Sequence, residues 1–395
     1  MTQDFAQLLA EVRESEQQFI SVRHDIHAHP ELGFAETRTS DLVAQKLREW
    51  GYEVTTGVGG TGVVGQIRRG SSSRAIGLRA DMDALPIQEE TGLPYASTVE
   101  RTMHACGHDG HTAILLAAAY QLAMRATFDG TLTVIFQPAE EGLGGATRMI
   151  EDGLFTRFPC DMVFALHNAP GLPIGHFALR HDCMMASSDT ATITVTGKGT
   201  HGATPQHGCD PIVAASNIVI ALQSIVSRNI EPTRAAVVTV GSFQSGSAGN
   251  VIPQTATLKL SVRALDSETR ETLELRIRQI AELQAQTYGA TASVNYQSIS
   301  RPLVNDRRAA DLAIATIEAL AGPQSLTMMP DAVMGSEDFS WMTEQLPGCY
   351  VLLGNGVGST GGCMVHNPSY DFNDAALSWG AAYFVALTRR YLNAG

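Results

Sequence analysis

Short apolar runs rich in β-branched residues recur along this chain, and segments of helical spacing separate them. The runs are Val63–Ile67, Ala75–Leu78, Thr131–Phe136, Met162–Leu166 and Tyr350–Leu353. Thr112–Met124 and Ala309–Leu320 carry helical spacing, as does a segment from about Ser40 to Trp50 that Gly51 closes in the manner of a C′ glycine. Strands alternating with helices predict an α/β domain on a mainly parallel sheet, because parallel neighbours need a long crossover that packs on one face. The chain has 395 residues, more than one hydrophobic core usually supports, so a second domain is expected.

The middle of the chain supplies one. Thr190–Thr196 alternates like a half-exposed strand, Pro211–Val226 has helical spacing, and Ala236–Phe243 and Thr255–Val262 again read as strands. Ser267–Thr287 is a polar amphipathic helix and Thr291–Tyr296 a last strand. The order β-α-β-β-α-β is the ferredoxin-like signature. The spacing therefore predicts an α+β domain over about 186–297, inserted into a first domain made of 1–185 and 298–395.

Four of the strands in the first domain end in polar clusters. Ala75–Arg79 runs into Asp81-Met82-Asp83, Thr131–Phe136 into Gln137-Pro138-Ala139-Glu140-Glu141, and Met162–Leu166 into His167-Asn168. Tyr350–Leu353 runs into a glycine-rich loop that leads to His366. Ligands of open α/β sheets bind just outside the carboxyl ends of the strands, so these side chains converge on one edge. A fifth segment, His104–His111, opens the helix predicted at Thr112. In it Cys106 and His108 can face the same way in an extended backbone, Asp109 can cap the helix, and the helix N-terminus favours a Cys106 thiolate.

Each piece has an ordinary structural reading. Adjacent glutamates are usually solvated, although this pair follows an apolar strand and a proline. Asp83 can be a turn residue ahead of Pro86, and His24, His27, His29, His104, His111, His176, His181 and His207 read singly as structural. Together, however, one cysteine, several histidines and spare carboxylates form a mixed N/O/S ligand set suited to divalent transition metals. The spacing leaves open which of Glu140 and Glu141 would bind metal and which would move protons.

Charge and cysteine usage narrow the partners. A net charge of -13 argues against nucleic acid and anionic membranes. The polar N-terminal segment has neither the basic start nor the apolar stretch of a signal peptide, and no run reads as a membrane span. Six scattered cysteines without framework spacing read as reduced thiols, which points to the cytoplasm.

At these residues the chain resembles the metallopeptidase family that includes aminoacylase, carboxypeptidase G and hippurate hydrolase. It is most similar to the branch of hippurate hydrolases and plant indole-acetyl-amino-acid amidohydrolases. The resemblance is carried by His27-Ala28-His29-Pro30-Glu31-Leu32-Gly33, Arg79–Pro86, His104–His111 and Pro138–Gly142. It continues through Gly199–Ala203, Gly249–Pro253, Gly335-Ser336-Glu337-Asp338-Phe339 and His366.

The resemblance implies a metal-binding catalytic domain with an inserted lid and dimerisation domain, and amide hydrolysis of N-acyl-L-amino acids to a carboxylic acid and a free amino acid. It implies that Cys106, His108, Glu141, His167 and His366 hold two divalent metal ions, zinc or manganese first, cobalt or nickel next. Glu140 would be the general base, Asp83 would orient a ligand, and His201 would donate to the oxyanion. Asn250 and Arg263 would bind the α-carboxylate of the substrate, and a homodimer would form through the inserted domain. The chain departs from most relatives at Asp81, where they carry a metal-binding histidine.

Three rivals remain. A dipeptidase or carboxypeptidase could use the same scaffold, and a non-catalytic metal-stabilised binding protein could share it. A dinucleotide-binding oxidoreductase is suggested by Gly57-Val58-Gly59-Gly60-Thr61-Gly62, but the β-branched residues that follow predict a strand where the fingerprint requires a helix.

Overall fold

A computed structural model describes residues 5–359 and 361–393 of this chain. The first four residues of the polar N-terminal segment lie outside the described residues; from Phe5 the segment is helical, as Phe5–Arg13 and Glu16–Ala28. The chain divides into two compact units. One comprises Met1–Met184, Val304–Asp331 and Asp338–Gly395, and the other comprises Met185–Leu303 with Ala332–Glu337.

The first unit is built on an eight-stranded sheet. Its spatial order is Glu53–Val58, Gly62–Arg69, Gly130–Gln137, Ala75–Asp81, Met162–Pro170, Gly348–Gly356, Phe177–Leu179 and Leu326–Met328. The four central strands run parallel, with Asp81 opposite Gln137 and Leu352 opposite His167. Their carboxyl ends therefore share one edge. Ala75–Asp81 is buried along its whole length, as a parallel strand covered on both faces must be.

Helix His108–Met124 packs in this core with nearly every side chain buried, including Ala113, Ala117, Ala118 and Ala119, whose small side chains permit close approach. It begins four residues before the predicted Thr112. Helix Thr37–Glu49 ends at Gly51 (φ +85°), where Gly51 N donates to Arg48 O (3.1 Å) and Tyr52 N to Leu47 O (3.0 Å). These bonds satisfy the last carbonyls, as the glycine predicted. Helix Arg307–Ala321 is capped by Asp306, which accepts from Arg308 N and Ala309 N.

The glycines of the dinucleotide-like motif form the turn of an antiparallel hairpin, with Val58 opposite Gly62 and Gly62–Arg69 continuing as a strand. With no helix after them, they cannot present a helix N-terminus to a pyrophosphate. The oxidoreductase reading is excluded on that ground.

The second unit carries an antiparallel four-stranded sheet in the order Ala236–Ser245, Thr255–Ala264, Ser188–Thr196, Thr291–Ser300. Along the chain its main elements run Ser188–Thr196, Pro211–Asn229, Ala236–Ser245, Thr255–Ala264, Ser267–Thr287, Thr291–Ser300. Pro211 at the first helical position, with Asp210 accepting from Ile212 N, starts one helix; Asp266 accepting from Thr269 N starts the other. Contrary to the sequence expectation, helix Pro211–Asn229 is long and apolar enough, by length and composition, to cross a membrane. Its Ala214, Ala215, Ile218, Leu222 and Ile225 lie in the core of this unit with Ile193, Leu258 and Leu273, which accounts for much of that apolarity.

Candidate metal centre

The four central strands deliver their polar ends to one place. Cys106 Sγ lies 3.3 Å from His167 Nε2. Ligand atoms of Cys106, His108 and His167 are all within 4.8 Å of one another; so are those of Cys106, Glu141 and His366, and those of His108, Glu140 and Glu141. Cys106 thus belongs to two three-residue groups. His366 Nε2 is 3.1 Å from Glu141 Oε1.

Local backbone geometry sets these side chains. Gly107, at φ +90°, is the residue before the helix, and a Cβ there would come within 2.5 Å of both Asn168 Nδ2 and Tyr370 Oη. Only glycine fits, and the turn aims Cys106 and His108 at the sheet edge. Ala139 (φ +52°) and His366 (φ +63°) hold left-handed conformations without being glycine. Ala139 N donates to the buried Glu36 Oε1 (2.8 Å), and His366 N donates to Ala105 O (2.7 Å), so both are clamped by neighbouring segments.

The residues around the ligands are fully engaged. Asp83 pairs through Oδ1 with His108 Nδ1 (3.2 Å) and through Oδ2 accepts from Glu141 N (3.0 Å), so it orients two candidate ligands at once. Asp81 Oδ1 pairs with His111 Nδ1 (2.7 Å) and Oδ2 accepts from Arg79 (2.8 Å). Burial works against its charge, yet His108, His111 and Arg79 hold the Asp81 carboxylate well below the usual range. His111 Nε2 accepts from Asn168 N (3.0 Å), and Asn168 Nδ2 donates to Cys106 O (2.7 Å).

The electrostatics correct one expectation. The Cys106 thiol is not favoured as a thiolate overall: burial pushes it well up, with His108 pulling the other way. Asp109 is not the cap either, since Gly107 holds that position and the Asp109 side chain binds Arg23 (2.8 Å) and His27 (2.8 Å) instead.

The donor set fits a metal. His108 Nε2 is buried and makes no hydrogen bond, which is costly unless something else satisfies it. A cation among these atoms would also convert the buried thiol to its ligating form.

The remaining expected residues belong to the second unit. His201 lies on the short strand Thr200–His201, paired with Val251–Ile252, so it is brought beside Asn250, whose carbonyl accepts from Gly202 N (2.8 Å). Arg263 lies on Thr255–Ala264, and its Nη1 is buried without a hydrogen-bond partner. Sequence reasoning gave no role to Arg79, Asn168 and Asp338, and read His111 as structural. The available signal was a charge inside an apolar run, since Arg79 interrupts a strand that is otherwise uncharged until its end.

Comparison with known proteins agrees with this geometry. Residues 77–390 match the profile of peptidase family M20/M25/M40. The chain is 48% identical to the hippurate hydrolase of Campylobacter jejuni, over 98% of this chain and 99% of that one. It is 37% identical to the N-acetyl-L-cysteine deacetylase of Bacillus subtilis, over 96% of this chain and 89% of the other. Among solved structures, a dinuclear metal binding peptidase of the M20 family from Bacillus subtilis superposes with a TM-score of 0.83 at 33% identity, covering 97% of this chain and 99% of that one. With its strand-edge cluster of cysteine, histidines and glutamates, the chain belongs to peptidase family M20/M25/M40 and is a metal-dependent amidohydrolase of that family.

Proposed function

We propose that this protein hydrolyses the amide bond of N-acyl-L-amino acids, releasing a carboxylic acid and a free amino acid. The observation that carries the reading is the pair of ligand groups sharing Cys106, with Glu140 beside them. The names of the two relatives, hippurate hydrolase and N-acetyl-L-cysteine deacetylase, both denote hydrolysis of an acylated amino acid.

In this reading Cys106, His108, Glu141, His167 and His366 would hold two divalent ions, zinc or manganese first. Such ions would supply Lewis-acid polarisation of the scissile carbonyl and a more acidic water near neutral pH. Glu140 takes the proton from the attacking water and returns it to the leaving amine. Asp83 keeps His108 and Glu141 in register. His201 donates to the developing oxyanion, and Asn250 with Arg263, whose Nη1 is buried without a hydrogen-bond partner, receives the substrate carboxylate. The second unit serves as lid and dimerisation domain. We place the enzyme in the cytoplasm, where its six unpaired cysteines stay reduced.

The test is amine release from a panel of N-benzoyl, N-acetyl and indole-acetyl amino acids and dipeptides, before and after chelation and with zinc or manganese restored. Chelator-sensitive release from an acyl amino acid supports the reading and names the acyl preference. Release from dipeptides alone moves the assignment to a dipeptidase, and no release with any metal sinks it.

A further inference from the structure

Asp338 sits in a motif of the sequence to which neither the ligand set nor the proposed mechanism gives a role. Its backbone N–H donates to Glu140 Oε1 at 3.3 Å, although 198 residues separate the two in the chain. One oxygen of its carboxylate also lies within 4.8 Å of a Glu140 and a Glu337 carboxylate oxygen, and both of its oxygens are held by hydrogen bonds. Oδ1 accepts from Gln137 Nε2 (2.7 Å) and from Arg79 Nη2 (3.2 Å), and Oδ2 accepts from Ala146 N (3.0 Å). Arg79 in turn donates through Nε to Gln137 Oε1 (2.9 Å) and through Nη1 to Asp81 Oδ2 (2.8 Å). Arg79, Gln137, Asp81 and Asp338 are all buried.

Two properties of this cluster matter. It is anchored on the two adjacent strands that end in Asp81 and Gln137, which are rigid elements of the parallel sheet. Its outward connections go to both sides of the centre. Through Asp338 N it reaches Glu140; through Asp81, His111 and Asn168 it reaches the Cys106 carbonyl and the residue after His167. A base works only when its carboxylate stays within hydrogen-bond reach of the proton it moves. Glu140 follows Ala139, whose left-handed backbone is a conformation that surrounding contacts must enforce.

We infer that Asp338 is a positioning residue for Glu140: Arg79 and Gln137 fix the Asp338 carboxylate, and the fixed backbone N–H of Asp338 sets the direction of the Glu140 carboxylate. The inference rests on the proposed role of Glu140 as the base. Hydrogen-bonded residues behind a reacting group typically change activity by about 10–100-fold when removed.

The experiment uses the full-length, metal-reconstituted enzyme with Asp338→Ala, Asp338→Asn, Arg79→Met and Arg79→Lys. Metal content, melting temperature, kcat and KM are measured for each on the best substrate of the panel. Asp338→Ala is expected to lower kcat by roughly 10–100-fold, with KM nearly unchanged and the wild-type amount of metal. Asp338→Asn keeps one acceptor oxygen and Arg79→Lys keeps the buried charge, so each should recover part of the kcat lost in Asp338→Ala or Arg79→Met. A merely structural cluster would not give that split or that rescue. An Asp338→Ala enzyme with near-wild-type kcat overturns the inference alone, as does loss of metal in proportion to activity. Failure of all four variants to fold overturns it too, by placing the cluster in the scaffold. A wild type that hydrolyses nothing takes down the role of Glu140, and this inference with it.

Discussion

Two buried arginines flank the centre, and their surroundings differ. Arg79 lies wholly inside the sheet with Asp81 and Asp338, whose side chains are 0% and 2% exposed. Arg23 is equally buried and pairs with the buried Asp109, but its other partners, Asp371 and Asp374, are 30% and 27% exposed. Tyr95 and His24 stack at this open end, with ring centroids 3.6 Å apart. Charges that reach solvent are screened and can relax outward when a partner is lost, whereas charges sealed from water cannot. Two networks of similar composition should therefore respond differently to the same cut.

The most direct way to break this comparison is to remove each arginine in turn. Arg79→Met should cost about 3–5 kcal/mol, because it leaves two enclosed carboxylates facing a neutral side chain. Arg23→Met should cost less, roughly 1–3 kcal/mol, since Asp109 keeps His27 and the other two aspartates can turn to water. Equal losses on chemical denaturation would mean that the open end has no energetic role.

The next effect depends on pH. His27 sits between Asp109 and Glu89; burial pulls its pKa down, but the two carboxylates outweigh it and raise the imidazole from 6.5 to about 9. A raised folded pKa means stability that is complete below about pH 6.5 and is lost as the pH rises through about 9. The contribution is on the order of 2–3 kcal/mol, read as the difference between wild-type and His27→Gln melting profiles from pH 6 to 10. Parallel profiles would show that His27 does not change protonation on unfolding.

Smaller changes sharpen the contrast at the exposed rim. Asp374→Asn should cost at most about 1 kcal/mol, with added salt narrowing the difference from wild type. Tyr95→Phe removes only the hydroxyl that donates to Asp371 (2.9 Å) and leaves the stacked ring, for roughly 0.5 kcal/mol. A loss above that of Arg23→Met in either variant would reverse the proposed order.

That Cys106, His108, Glu141, His167 and His366 would meet near one sheet edge was legible in the sequence, because most of them closely follow a strand or open a helix. An apolar β-branched run followed by a carboxylate or imidazole reports its own position at a sheet edge. Gln137–Asp338 and Arg79–Asp338, by contrast, join residues 201 and 259 positions apart, and no local spacing encodes such a meeting. The start of the His108 helix was misplaced for a related reason. The capping signal at Asp109 was read as local, while that side chain is taken by Arg23, 86 positions away. The proline-led helix at Pro211 and the aspartate-capped helix at Ser267 were read correctly because their start signals are satisfied within three residues.

The order in which the chain is made has a consequence for the cell. Strands ending at Asp81 and Gln137, and the Cys106–His108 turn, leave the ribosome long before Asp338 and His366 exist. Until then Arg79 lacks one of its carboxylates, and the group formed by Cys106 and Glu141 lacks its histidine. A nascent or truncated chain therefore carries an incomplete charge cluster in its sheet, with Arg79 still paired to Asp81, and an incomplete group of candidate ligands at its edge. A metal held by Cys106, Glu141 and His366 would be captured late, once the polypeptide is complete.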